Sequence, residues 1–184
     1  METDEALYHQ YLNGIDHGLE ALMERYGNSL TLYIDGYLHN IHDAEDLMIE
    51  AFSYLIAKKP KIQDGCFRAY LYKSARHLAI RCAARKRKHN AFSLEDLNSE
   101  PESDILLEET VRTAERRRIL HMCMEKINPD YREALYLVYF ENMRHSEAGA
   151  VMGKSEKQIT NLIYRGRHSL RGHLEREGIL HAEL

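Results

Sequence analysis

The segment from Gly153 to Arg171 constrains the fold most, because it combines a glycine turn, a candidate helix cap and a two-faced helix. Ser155 follows the glycine and is a residue type that caps helix N-termini. At 3.6 residues per turn, one face is apolar and the opposite face is polar. The apolar face carries Ile159, Leu162, Ile163, Gly166 and Leu170, and the polar face carries Lys157, Asn161, Tyr164 and His168, flanked by Arg165.

A short apolar helix is predicted just upstream, from Glu147 to Met152. A helix, a glycine turn and a capped helix with a polar outer face are typical of a DNA-reading helix-turn-helix. Asn and Gln side chains pair with adenine edges, and Arg and Lys pair with guanine or phosphate. The alternative is a solvent-facing helix of an ordinary bundle. The candidate DNA contacts are Lys157, Gln158, Thr160, Asn161, Tyr164, Arg165 and Arg167.

Charge is sorted into blocks along the chain, although the net charge is only −4. The stretch from Arg68 to His89 contains eight Lys and Arg residues and no acid, whereas Leu94 to Thr110 contains seven acids and no base. Such blocks say more about partners than the total charge does. The basic block includes Tyr70, Tyr72 and His77, whose flat side chains suit stacking on unpaired bases. A basic surface helix with ordinary core aromatics explains the same pattern equally well.

Composition narrows the class of protein. Of the residues, 44% are hydrophobic and 29% are charged, and no apolar run approaches the ~20 residues that span a bilayer. The acidic, polar N-terminus does not resemble a signal peptide, so a cytoplasmic protein without a membrane segment is expected. Cys66, Cys82 and Cys123 form no C-x-x-C pair, so neither a disulfide framework nor a metal site is predicted, and no cofactor is expected.

The spacing of apolar residues predicts an all-α fold. Helices are expected at Leu19–Tyr26 and Leu30–Leu38, separated by Gly27-Asn28. Asp43 is expected to cap the next helix, whose apolar face includes Ile56 and which ends at Lys58-Lys59-Pro60. Further helices are expected from Phe67 to His89, from about Ile105 to Lys126, and from Pro129 to Glu141, with an acidic linker over residues 92–104.

The carboxylates Asp43, Asp46 and Glu50 near one helix start admit two readings. They suit a divalent-metal site of a nucleic-acid enzyme, or they cap the helix and form a docking face. No Ser–His–Asp set, Gly-rich phosphate loop or H-E-x-x-H motif accompanies them, which favours capping and docking and predicts that the chain is not an enzyme.

Three segments in this order resemble a bacterial sigma factor of the extracytoplasmic-function (ECF) type, within the sigma-70 family. They are HDAEDLMIEAFSYL at 42–55, FRAYLYKSARHLAI at 67–80 and the terminal helix-turn-helix. The resemblance implies a region 2-like helical domain over residues 1–91, the acidic linker over 92–104, and a region 4-like helix-turn-helix domain over 105–184. The linker resembles a connector that the family threads through the polymerase, although a solvated tether explains its composition equally well.

The resemblance implies docking on core RNA polymerase, at the β′ clamp helices and the β flap. The implied contacts on the clamp helices are Asp43, Asp46, Ile49 and Glu50, with Ile49 standing where the family usually has Gln. Because many members of that family are held inactive by an anti-sigma factor, the resemblance also suggests such a protein as a partner.

The resemblance also implies two promoter contacts. The loop Lys61–Cys66 and the helix after it correspond to the reader of the minus-ten element, with Tyr70 where Trp is common and His77 where Asn is common. The terminal helix corresponds to the reader of the minus-thirty-five element. Thr160 and Leu162 stand where the family often has basic residues. The implied minus-ten contacts are Lys61, Gln63, Asp64, Tyr70, Lys73, Arg76, His77 and Arg81.

The function predicted on this basis is promoter recognition and transcription initiation by core RNA polymerase. The alternative is a stand-alone helix-turn-helix regulator that binds duplex DNA without polymerase, usually as a dimer on a palindrome.

Overall fold

The computed structural model describes residues 2–90 and 108–178, and within these ranges all regular secondary structure is helical, which confirms the predicted all-α fold. The predicted linker at 92–104 lies outside the described residues. The α-helices are α1 (Asp4–Leu12), α2 (His17–Leu38), α3 (Ile41–Lys58), α4 (Phe67–Asn90), α5 (Glu108–Lys126), α6 (Pro129–Leu135), α7 (His145–Met152) and α8 (Glu156–Arg176), with a π-helix at Tyr136–Phe140 after α6.

The helices cluster into two compact units. The first unit contains α1–α4, and the second contains α5, α6, the π-helix, α8 and most of α7. Each unit buries its own apolar side chains, as a small helical domain must in order to be stable.

Aromatic side chains dominate the core of the first unit. Tyr72 of α4 is fully buried, and its ring centroid lies 5.2 Å from that of Tyr33 and 6.4 Å from that of Tyr26, both on α2. The Tyr72 and Ser29 hydroxyl oxygens lie 3.0 Å apart, so the buried hydroxyl has a polar neighbour. These contacts fasten α4 against α2 and fix the orientation of its outer face.

Helix α2 is continuous, so the predicted separation at Gly27-Asn28 is wrong. Gly27 is buried and faces Met48 of α3, and the flanking Tyr26 and Leu30 are buried as well. A glycine inside a helix costs about 1 kcal/mol relative to alanine. Packing of the surrounding side chains outweighs that cost, and this packing is not visible in the local sequence.

Helix α3 begins at Ile41, and its cap is Asn40 rather than the predicted Asp43. The Asn40 side-chain oxygen accepts a hydrogen bond from the backbone N–H of Asp43 at 3.1 Å. Asp43 therefore lies in the first turn, where the helix dipole also favours a carboxylate. The helix ends at Lys58 as predicted, because Lys59 adopts a left-handed conformation with φ of 42°.

In the second unit, α8 packs on α6, and the predicted apolar stripe of α8 is buried. Ile159, Ile163, Gly166 and Leu170 are buried, and Leu162 is half-buried at the edge of the stripe. A Cβ atom on Gly166 would lie 3.2 Å from both Leu135 and Tyr131 side-chain carbons, so the glycine allows the two helices to approach closely.

The helix that starts at Pro129 begins where the sequence predicts, after the cap Asn128, but it does not continue to Glu141 as an α-helix. It changes to π-type hydrogen bonding at Tyr136, and the N–H of Glu141 donates to the Tyr136 carbonyl at 3.1 Å. The wider turn stacks the rings of Tyr136 and Phe140 at 5.4 Å. Apolar periodicity alone does not distinguish this i→i+5 pattern from a regular helix.

Candidate functional site

A reciprocal cap fixes the start of α8. The N–H of Gln158 donates to the Ser155 hydroxyl oxygen at 3.3 Å, and the N–H of Ser155 donates to the Gln158 amide oxygen at 2.8 Å. This capping box confirms Ser155 as the cap and satisfies two N–H groups that the helix leaves open. It also gives Gln158 an intramolecular role beside its predicted one as a DNA contact.

The turn between α7 and α8 depends on a close backbone approach. Gly153 has φ of 66°, a left-handed conformation that glycine adopts readily. The N–H of Lys154 donates to the Gly149 carbonyl at 2.9 Å. A Cβ atom on Gly149 would lie 2.6 Å from the Lys154 carbonyl oxygen, so no larger residue fits there without movement of the backbone.

Every candidate minus-thirty-five contact is exposed on α8, and the aromatic member, Tyr164, is 76% exposed. The Thr160 hydroxyl donates to the Glu156 carbonyl at 3.0 Å and lies 3.0 Å from Nδ1 of His145 on α7. The exposed candidates are Lys157, Gln158, Thr160, Asn161, Tyr164, Arg165 and Arg167.

A groove of about 430 Å³ runs along this face between α8 and the start of α7. Its walls include His145, Arg167, His168 and Arg171, so cationic and imidazole groups line it. Such a lining suits a phosphate oxygen. Sequence analysis did not identify His145 or Arg171 as part of this face. His145 lies on α7, so its place beside α8 depends on how the two helices pack.

The candidate minus-ten contacts come from two elements of the first unit. Lys61, Gln63 and Asp64 are exposed on the loop between α3 and α4. On α4, Tyr70 and Arg76 are half-buried, and Lys73, His77 and Arg81 are exposed. Burial is the largest cause of a raised pKa at Tyr70, so this hydroxyl stays protonated at neutral pH.

Tyr72 is not available for a base contact, because it is completely buried in the first unit. Of the two roles considered for the flat side chains of the basic block, base stacking and core packing, Tyr72 has the second. Tyr70 and His77 retain surface on the outer side of α4.

The candidate polymerase contacts on α3 divide into two groups. Asp46, Ile49 and Glu50 are exposed, and Ile49 is 52% exposed. Asp43 is half-buried and forms an ion pair with Lys86 of α4, so its carboxylate already has a partner inside the unit.

Ile56 was expected on the buried face of α3, but it is 45% exposed. It lies two helical turns after Ile49 and on the same side. The exposed side of α3 therefore carries two isoleucines as well as two carboxylates, a mixture typical of protein interfaces rather than of a purely solvated face.

Two further observations concern metal binding and membrane insertion. Within residues 2–90 and 108–178, no three His, Cys, Asp or Glu side chains lie where they could share a metal ion. In the same part of the chain, none of the helices combines the length and the apolar character needed to cross a membrane.

The sequence matches two parts of one family. Residues 22–97 match sigma-70 region 2, and residues 117–170 match sigma-70 region 4. The chain is also similar to ECF RNA polymerase sigma factor SigE of Mycolicibacterium smegmatis, with 28% identity over 73% of this chain and 53% of the relative. It is 22% identical to SigM of Bacillus subtilis, over 83% of this chain and 93% of the relative. The match thus spans only about half the length of SigE.

Solved structures share the fold. CnrH, in complex with the cytosolic domain of CnrY, superimposes with a TM-score of 0.69 at 21% identity, covering 95% of this chain and 99% of CnrH. RpoE of Bartonella quintana, in complex with the anti-sigma factor NepR, superimposes with a TM-score of 0.67 at 17% identity, covering 85% of this chain and 96% of RpoE.

Proposed function

Because the chain belongs to the sigma-70 family, as a member of the ECF type, we propose that it is a cytoplasmic, non-catalytic initiation factor that binds core RNA polymerase and directs it to promoters. The family matches fall in the order region 2, then region 4, and we assign residues 1–91 and 105–184 to the two corresponding domains, with 92–104 as linker.

The observation that carries this proposal is the outer face of α8. The capping box sets the start of the helix, the apolar stripe is buried, and all seven candidate contacts are exposed together. Asn161 and Gln158 suit adenine edges, and Lys157, Arg165 and Arg167 suit guanine edges or phosphates. This face reads the minus-thirty-five element.

The loop after α3 and the outer face of α4 form the second promoter contact. Lys73, His77 and Arg81 recur at helical spacing and are exposed, and Tyr70 lies one turn before Lys73. Positive charge follows the DNA backbone and flat side chains stack on unpaired bases, so this surface captures the opened minus-ten strand. The free energy of opening then comes from base capture and phosphate contacts, without nucleotide hydrolysis by this chain.

Core polymerase docks on the exposed side of α3. Asp46 and Glu50 supply negative charge and Ile49 supplies apolar surface. Asp43 is better assigned to the ion pair with Lys86, which ties the start of α3 to α4. An anti-sigma protein is a further proposed partner, since the structural neighbour RpoE was solved with one.

In vitro transcription tests the proposal. Purified core polymerase is supplied with a genomic library, with and without this chain, and the RNA 5′ ends are sequenced. Initiation at a discrete set of promoters only in the presence of the chain supports the proposal. Tight duplex binding without polymerase, and no new initiation with it, would instead identify a stand-alone helix-turn-helix regulator.

A further inference from the structure

Helix α1 lies outside both family matches, the first of which begins at residue 22, yet it packs against the candidate minus-ten loop. Its apolar side chains Leu7, Tyr8 and Tyr11 are buried. The loop that α1 contacts runs from Lys59 to Cys66, between α3 and α4, and we call it the α3–α4 loop.

Contacts from α1 hold the first end of the α3–α4 loop. The Tyr8 hydroxyl donates to the Pro60 carbonyl at 2.9 Å, and the Tyr11 hydroxyl donates to the Ile56 carbonyl at 3.4 Å. The Lys59 ammonium lies 5.1 Å from the centre of the Tyr11 ring, within cation–π range. Together they fix the point where the chain leaves α3.

The far end of the α3–α4 loop is held by the same helix. The Glu5 carboxylate accepts from the N–H of Phe67 at 3.4 Å, so α1 supplies an acceptor to the first turn of α4. The Tyr8 ring packs on the Phe67 ring at 5.3 Å. Between the two ends, Nε2 of His9 lies 3.8 Å from Oδ1 of Asp64, one of the candidate base contacts.

Helix α1 is itself fixed on the first unit. Asp4 contacts the guanidinium of Arg25 and the hydroxyl of Tyr26, both on α2. A Cβ atom on Gly18 would overlap the Leu7 carbonyl oxygen, so α1 meets the start of α2 through backbone contact. The contacts on the α3–α4 loop therefore come from a rigid support.

We propose that α1 is a positioning element for the α3–α4 loop, and that Tyr8 and Glu5 are positioning residues for recognition of the minus-ten element. This inference rests on the proposed function of the loop as a promoter contact. Tyr8 and Glu5 act without touching DNA: they restrict the backbone conformations of Lys61, Gln63 and Asp64. A flexible loop can adapt to several sequences, so a loop with fewer conformations accepts fewer of them.

The protonation state of Tyr8 is consistent with this role. Burial, followed by the neighbouring hydroxyls of Tyr70 and Tyr11, raises the pKa of Tyr8 to about 12. The hydroxyl therefore remains a donor to Pro60 throughout the physiological pH range.

Tyr8→Phe tests the proposal, because it removes the bond to Pro60 and keeps the ring on Phe67. Tyr33→Phe is the matched control, since Tyr33 is also buried and its hydroxyl lies 3.5 Å from that of Tyr37 on the same helix. The first measurement is hydrogen exchange of the free chain. Tyr8→Phe is expected to raise the amide exchange rate over residues 59–67 by roughly fivefold, which is the change in the opening equilibrium expected when one ordinary hydrogen bond is lost. Tyr33→Phe is expected to leave this rate unchanged.

The second measurement is initiation with core polymerase on promoters randomised at the minus-ten element. Tyr8→Phe and Glu5→Ala are expected to broaden the accepted sequences, while core capture and the minus-thirty-five preference stay at the wild-type level. Glu5→Gln, which keeps an acceptor for Phe67, is expected to restore most of the wild-type preference.

The outcomes separate the positioning role of α1 from the proposed function of the chain. The positioning role is overturned if the Tyr8→Phe variant shows no change in hydrogen exchange in the α3–α4 loop. It is also overturned if exchange rises but the minus-ten preference stays the same. Failure of the wild-type chain to initiate at all contradicts the proposed function, and in that case the exchange data still decide whether α1 holds the loop.

Discussion

In the second unit all candidate promoter contacts lie on one helix, α8, whereas in the first unit they are spread over α4 and the loop before it. The face of α8 needs only a correct helix start and a buried stripe. The surface of the first unit needs α1, α2 and α3 to place the loop and α4 relative to each other. The first kind of site depends on helical periodicity, and the second depends on tertiary packing.

This difference predicts where substitutions act. On α8, outer-face side chains that take no part in the capping box affect DNA binding directly and leave the fold intact. In the first unit, substitutions away from the promoter contacts still affect recognition, because the contacts are held by neighbouring helices. The following experiments test that contrast, from the largest expected effect to the smallest.

The largest effect is expected for Lys157→Ala, Asn161→Ala and Arg165→Ala combined. All three side chains are exposed, and each base-edge contact accounts for about 1–3 kcal/mol of discrimination. Promoter affinity of the holoenzyme should fall by at least roughly 100-fold, measured by gel shift, because several contacts are lost together. Core capture and the melting temperature should remain unchanged, and an equal loss of core capture would contradict the separation of the two faces.

Gly149→Ala should destabilise the second unit by about 1–3 kcal/mol, as overpacking does, because the added methyl group meets the Lys154 carbonyl oxygen. The measurement is chemical denaturation of the whole chain followed by promoter binding. Gly172→Ala is the control on α8: its Cβ has no neighbour within 4 Å, so it should be neutral or stabilising. Equal stability losses in both variants would mean that the close approach at Gly149 is not what fixes the turn.

Asp46→Ala with Glu50→Ala should reduce capture of core polymerase by roughly tenfold and leave stability unchanged, because both side chains are exposed. Asp43→Asn should leave capture of core polymerase unchanged. It should lower the free energy of unfolding by up to about 1 kcal/mol, because it breaks a partly exposed ion pair with Lys86. Pull-down with core polymerase and thermal unfolding separate the two. Capture of core at the wild-type level by the double variant would place the docking face elsewhere.

The smallest effect is expected for Glu177→Gln. Lys126 donates to Glu177 at 2.8 Å on the surface, and hydrogen bonding to Lys126 is the largest cause of the lowered pKa of Glu177. A surface pair contributes little, so neither stability nor promoter binding should change measurably near neutral pH. A clear loss of stability would show that the end of α8 is held by this pair rather than by its apolar stripe.

Much of the second unit follows from the sequence. The Ser155 cap, the apolar stripe of α8 and the start at Pro129 were predicted from residue type and spacing, and the structure has all three. These features are local, so periodicity and capping chemistry suffice. The π-helix and the place of His145 in the groove were not predictable, because they depend on how neighbouring turns pack.

Less of the first unit could be predicted from the sequence. The continuity of α2 through Gly27 and the exposure of Ile56 both depend on contacts between helices. The Asn40 cap had a local signal, Asn three residues before Asp43, but the acidic cluster behind it was the stronger pattern. The contacts of α1 join residues more than 40 positions apart, and no periodicity within either segment reveals them.

The capping box at Ser155 also sets the rotational origin of α8. Each residue turns an α-helix by about 100°, so a start shifted by one position would rotate every later side chain by more than a quarter turn. Asn161 and Tyr164 would then turn away from their present direction, and Gly166 would turn away from Tyr131 and Leu135 of α6. The hydrogen bonds between Ser155 and Gln158 thus determine the direction in which every candidate DNA contact on α8 points.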